Sequence, residues 1–170
     1  MNRGDAKKNL PAHQITFKIM TEAVEQYKQA LQRAKRTPET TTKERARIYQ
    51  KLTQTSIKCS MLAPKPKIQK EHAKAAHEYV KASLQAAKES GDECMVTQVE
   101  FLQACLAAWA LHLLPRSERS DDADSKAMEN LQYGLEKLGR HPGVKIKVHE
   151  DQMRVYLRYL SEGGQNANSS

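Results

Sequence analysis

The sequence predicts an all-α fold of six main helices in three stacked antiparallel hairpins, and three observations lead there. Apolar residues recur at three- and four-residue steps over most of the chain, which gathers them on one helix face. Pro, Gly and short polar runs punctuate those segments where tight connections are needed. The pattern also coincides with itself at a shift of 52 residues: Ala23, Ala75 and Ala127 align, as do Tyr27, Tyr79 and Leu131, then Ala30, Ala82 and Gly134, then Ala34, Ala86 and Leu138. The steps between these sets are 4, 3 and 4, so in each unit they share one helix face. A hairpin built three times hides that face by stacking on its neighbours.

The 170 residues suffice for one well-filled core and are short for two, so residues 13–162 are expected to form a single helical domain. Within it the hairpins fall at about 13–62, 67–115 and 121–162, after a loose polar leader at 1–12 and before a disordered tail at 163–170. Only 5% of residues are aromatic while 28% are charged, the usage of an all-helical soluble protein.

The first helix is expected from about His13 to Arg36, carried by Ile15, Ile19, Ala23, Tyr27, Ala30, Leu31 and Ala34. Thr37-Pro38 and the threonine run after it stop propagation. The second starts near Thr42, whose hydroxyl is expected to cap it, and runs through Ile48, Tyr49, Leu52, Ser56 and Cys59 to Leu62. Pro64 and Pro66 close it. The third spans Ile68 to Ser90 with a small-residue surface, and Gly91-Asp92 breaks it. The fourth, about Glu93 to Leu114, is apolar around most of its circumference and should be the most buried. Its best apolar window, Val99 to Leu114, is interrupted by Glu100, Gln103 and His112, so no uninterrupted run reaches the ~18 residues of a membrane span. Arg116 to Asp122 reads as an exposed, mobile polar linker. The last pair covers about Ala123 to Leu138 and Val144 to Leu160, joined by Gly139 to Gly143. Val144, Ile146 and Val148 alternate like a strand, but the register favours helix, since Phe101 falls on Met153 and Ala108 on Leu160.

Ala76, Tyr79, Ala82 and Ala86, followed by Gly91-Asp92, resemble the second half of a tetratricopeptide-type repeat, and Ala23 to Lys35 resembles it too. The third unit carries Leu131 for the aromatic residue and Gly134 for the alanine. The 52-residue period is longer than the ~34 of a regular repeat. What the resemblance implies is a tetratricopeptide-like right-handed array or bundle of long hairpins, binding a peptide or another protein along its surface. Residues 13 to 62 and 68 to 114 are also similar in helix length and Ala/Tyr/Leu patterning to microtubule-interacting and trafficking domains, which bind amphipathic peptides.

Charge is the most informative functional feature. Residues 1–70 hold 16 Lys or Arg against 5 Asp or Glu, a net of +11, while residues 71–170 hold 12 against 15, a net of −3. Lys43, Arg47, Lys51 and Lys58 fall within an arc of about 80° on the second helix, away from Ile48, Leu52 and Cys59. Lys28, Arg33 and Arg36 lie near that row in sequence and are expected to extend it into a basic patch, attractive to acidic protein segments or to phosphates. Tyr27, Tyr49 and Tyr79 sit on the expected buried stripe and do not offer themselves as base-stacking platforms.

Catalytic chemistry finds no footing in these residues. His72 and His77 lie about 140° apart around a helix, an awkward pairing for one metal ion. Cys59, Cys94 and Cys105 follow apolar spacing and read as core thiols of a reducing compartment, cytoplasmic or nuclear. Asp121, Asp122 and Asp124 precede a helix and read as capping groups, and Trp109 reads as a core residue. Thr37, Ser117 and Ser120 occupy loops open to phosphorylation. No catalytic, metal or cofactor residue is therefore assigned. The expectation is a non-enzymatic adaptor that binds an acidic or amphipathic segment of a partner protein. The alternative is a nucleic-acid-associated protein gripping phosphates through the basic first hairpin, and self-association through the weak third unit stays open.

Overall fold

The computed structural model describes residues 12–162, so the expected tail at 163–170 and all of the expected leader except Ala12 lie outside the described residues. Among the described residues there are six α-helices and no strand: α1 Ala12–Arg36, α2 Thr42–Leu62, α3 Pro66–Ser90, α4 Glu93–Leu113, α5 Asp121–Gly139 and α6 Ile146–Ser161. The all-α class is as the periodicity predicts, and the strand-like alternation at residues 144–148 runs into helix.

The helix starts differ from expectation by their caps. Thr41, not Thr42, caps α2: its hydroxyl accepts from the Glu44 amide at 3.1 Å, and the Glu44 carboxylate accepts from the Thr41 amide at 3.2 Å. This reciprocal pair satisfies two donors that the first turn leaves open. Pro66 opens α3 rather than closing α2, since a first-turn proline needs no amide partner. Asp92 caps α4 by accepting from Met95 at 3.1 Å, and Gly91 before it takes the left-handed φ of 75° that ends α3.

Arg116 to Asp122 is not a loose linker. Arg116–Glu118 forms one 3-10 turn and Ser120 caps α5 by accepting from the Ala123 amide at 3.1 Å. Arg119 folds inward until its side chain is only 1% exposed, donates to both carboxylate oxygens of Asp124 at 3.1 Å, and donates to the Leu160 carbonyl at 3.0 Å. One guanidinium thereby ties the start of α5 to the end of α6. Asp124 is an ion-pair partner and not a cap.

The most extensive helix–helix contact is α2 against α3, across the boundary drawn between the first and second hairpins. Small side chains permit it: Ala46, Ala76 and Ser83 are fully buried, and the Ser83 hydroxyl donates to the Ala46 carbonyl at 3.0 Å. α4 packs on α3, α5 and α6 and touches α2. Eleven of its residues are buried, among them Phe101, Leu106 and Trp109, as a central helix requires. α4 is long and apolar enough to cross a membrane by length and composition, with a mean hydropathy of 1.4 over its window, and half of that window is buried within the fold.

A smaller cluster joins α1 to α2 through Val24, Leu31, Leu52 and Cys59, with Tyr27, Tyr49 and Tyr79 half-buried around it. At the register positions, Ala34, Ala86, Leu131 and Leu138 are all buried. Hiding a leucine such as Leu131 contributes about 1.5–3 kcal/mol. Gly134 occupies the place of Ala30 and Ala82 because α5 runs close to Phe101, whose Cδ2 would stand 3.1 Å from an added Cβ.

Candidate partner-binding surface

The row on α2 is tied at its start to the residue that caps α4. At the start, Lys43 Nζ meets Asp92 Oδ2 at 2.9 Å, and this hydrogen bond is the main reason the Asp92 carboxyl is held below its ordinary range. Toward the end, Lys58 shares a cavity with Leu102 of α4. Arg47, Lys51, Gln54 and Lys58 follow one another at steps of 4, 3 and 4 and so share one face of α2, of which Gln54 and Lys58 border α6. Arg47, Lys51 and Lys58 are exposed, and among the described residues none of the three enters an ion pair. Lys43 is the one member of the row whose charge is already answered.

The α1 cations lie elsewhere. α1 packs on the Leu52–Cys59 side of α2, about 120° round the helix from the basic row. Lys28 bonds to Glu25 at 3.1 Å, a contact that raises its pKa, while Arg33 and Arg36 are exposed on α1. The seven residues form two basic surfaces separated by α2, which their closeness in sequence concealed.

Beside the row lies a cleft of about 330 Å³, walled by Gln54, Ile57 and Lys58 of α2 and by Val148, Gln152 and Tyr156 of α6, with Leu102 as its floor. Val148 is 61% exposed, a large apolar side chain left open to water. Sequence reasoning did not find this cleft, because it is assembled from residues up to about a hundred positions apart. The exposed valine in α6 was its only local trace.

A second depression follows α4 beneath α5. Ala107, Ala110, Leu111 and Leu114 meet Ala123 and Ala127 around a space of about 440 Å³. An adjoining one of about 380 Å³ reaches Glu100, Tyr133, Gly134 and Lys137. Lys137 crosses it, 3.7 Å from Glu100 and with its ammonium 5.3 Å from the Tyr133 ring centre. This surface carries its own ion pair, so it presents less unanswered charge than the row on α2.

The remaining titratable groups have structural surroundings. Burial lowers the pKa of His72, His77, His112 and His149. His72 meets the Phe17 ring edge-on at 5.8 Å, and His112 stacks on Trp109 at 5.2 Å while its Nδ1 donates to the Tyr159 carbonyl at 3.1 Å. Burial pushes the Cys59 thiol up to about 11 and raises that of Cys105 further. Cys94 is only half-buried, unlike the other two. Among the described residues no three His, Cys, Asp or Glu side chains gather where one metal ion could be held.

No family model, curated protein or solved structure matches the chain, so the surface must be read from its own chemistry.

Proposed function

We propose that this protein is a non-enzymatic adaptor whose hairpins form a tetratricopeptide-like array in the cytoplasm or nucleus, and whose α2 face binds an acidic or amphipathic segment of a partner protein. The observation that carries the reading is the row of Arg47, Lys51 and Lys58, exposed, in line and without counter-ions among the described residues. Three cations on one rigid helix raise the local concentration of acidic ligands and speed encounter, more than they deepen the bound state. Equal helix lengths support the array: α1 and α3 have 25 residues each, α2 and α4 have 21 each.

The test is affinity capture from lysate across a salt series, with and without nuclease, comparing the natural chain with Arg47→Glu/Lys51→Glu/Lys58→Glu. A nuclease-resistant protein partner, lost in the triple variant and weakened by salt, is the expected result. Capture that disappears with nuclease would replace the adaptor by the nucleic-acid reading, in which the same cations grip phosphates. Unchanged capture by the triple variant would reduce the row to a solvated helix face.

A further inference from the structure

We infer that the α2–α6 cleft is the seat of the bound segment, and that its occupant is an amphipathic helix bearing an acidic stripe beside an apolar one. This rests on the adaptor reading and adds the place, the partner's conformation and its register. The cleft joins two chemistries that are usually apart. On one lip stands Lys58, with Lys51 and Arg47 in line with it further back along the same face of α2 and, among the described residues, none of the three in an ion pair; on the other, Val148 holds an apolar side chain in water, with Leu102 and Tyr156 beneath. A solvated lysine face has no need of an adjacent apolar trough, and an apolar trough intended for a neutral partner has no need of a cation on its lip and two more in line with it.

Geometry sets the partner's form. The cations run from residue 47 to residue 58, about 16 Å along a straight helix axis. An α-helix laid parallel or antiparallel to α2 repeats that spacing with carboxylates at i, i+4 and i+11, all within an arc of about 40°. Leucines at i+1, i+5, i+8 and i+12 then form a stripe about 100° away, facing the trough. The apolar stripe supplies the anchor by displacing water from Val148 and from the cleft beside it, and the carboxylates supply register and encounter rate.

The experiment uses the full chain and two synthetic, fluorescently labelled helical peptides. One carries both stripes; the other keeps the glutamates and replaces every leucine by glutamine. Binding is followed by anisotropy and mapped by amide chemical-shift changes. The expected result is that the two-stripe peptide binds about tenfold more tightly than the acidic one, about the effect of one anchor. Val148→Asp and Lys58→Glu should each weaken it about tenfold, with shifts at Leu102, Val148 and Gln152. Tyr133→Asp, on the far surface, should leave it unchanged and serves as the control; Val148 is exposed, so its variant keeps the fold, which circular dichroism verifies. Equal binding of both peptides, with Val148→Asp silent, overturns the cleft while leaving the adaptor reading to the lysate capture. Weakening by Tyr133→Asp moves the site to α5 and overturns it as well. Failure of the two-stripe peptide to bind, where the triple variant still abolishes protein capture, rejects the amphipathic helix as occupant.

Discussion

Trp109 and Ser60 are joined by a buried hydrogen bond, the indole Nε1 donating to the serine hydroxyl at 2.7 Å, and that hydroxyl donates onward to the Gln69 carbonyl at 2.6 Å. Ser60 is on α2, Trp109 on α4 and Gln69 on α3, so three helices meet in one two-bond relay. Neither hydroxyl nor indole can turn to water, since Ser60 is fully buried and Trp109 is 2% exposed.

Ser60→Ala should therefore leave the indole donor without a partner at a cost of about 1–3 kcal/mol. For a chain of this size that lowers the melting temperature by roughly 2–10 °C. Trp109 is the only tryptophan, so its fluorescence reports the site directly. An unchanged melting temperature would mean that the relay adds nothing to stability.

Arg119 and Asp124 set up a larger effect. Removing the carboxylate by Asp124→Leu leaves a buried guanidinium uncompensated and should cost about 3–5 kcal/mol in urea unfolding. Arg119→Met/Asp124→Leu together should recover much of the loss, because the buried charge goes with its partner. Losses that simply add would show that the two side chains act independently.

Gly134 is confined by a neighbour and not by its backbone. Gly134→Ala gains about 1 kcal/mol of helix propensity but brings Cβ to 3.1 Å from Phe101 Cδ2, so the net change should stay within about 1 kcal/mol. Gly134→Val drives branched methyls into the Phe101 ring and should cost about 1–3 kcal/mol. A valine variant as stable as the natural chain would mean that α5 can move away from α4.

Acid should weaken the fold before it approaches the carboxylate range. Burial holds His72, His77, His112 and His149 below the ordinary 6.5, so between their folded values and 6.5 the unfolded chain binds more protons than the folded one. Stability is present above 6.5 and is lost as pH falls through the folded pKa values. The melting temperature should decline between pH 7.5 and pH 5, and His149→Gln should flatten part of the slope. A flat profile over that range contradicts the burial of these rings.

Thiol reactivity should divide the cysteines. Cys94 is half-buried, whereas Cys105 is enclosed and the Cys59 thiol is pushed up to about 11. A thiol reagent at pH 8 should modify Cys94 in the native protein and reach Cys59 and Cys105 only in guanidinium. Rapid labelling of all three would indicate that the α1–α2 and α4 cores open readily.

The sequence by itself determined the helices. Period-three-and-four apolar spacing, Gly91, and the proline and glycine breaks are local signals, and they placed six helices to within about two residues because helix formation is decided by neighbours in the chain. The caps were less legible: the hydrogen bonds put the cap of α2 on Thr41 rather than Thr42, and Pro66 starts α3 rather than closing α2. Tertiary structure alone decided what lies beside what. Arg119 looked like linker because its partners include Leu160, 41 residues away. The basic patch read from nearness in the chain became two surfaces, because α2 stands between them. The α2–α6 cleft had no sequence signature, because its lips belong to helices that meet only after α4 has packed between them; residue types and spacing carry periodicity, whereas a binding surface depends on distances that only packing sets.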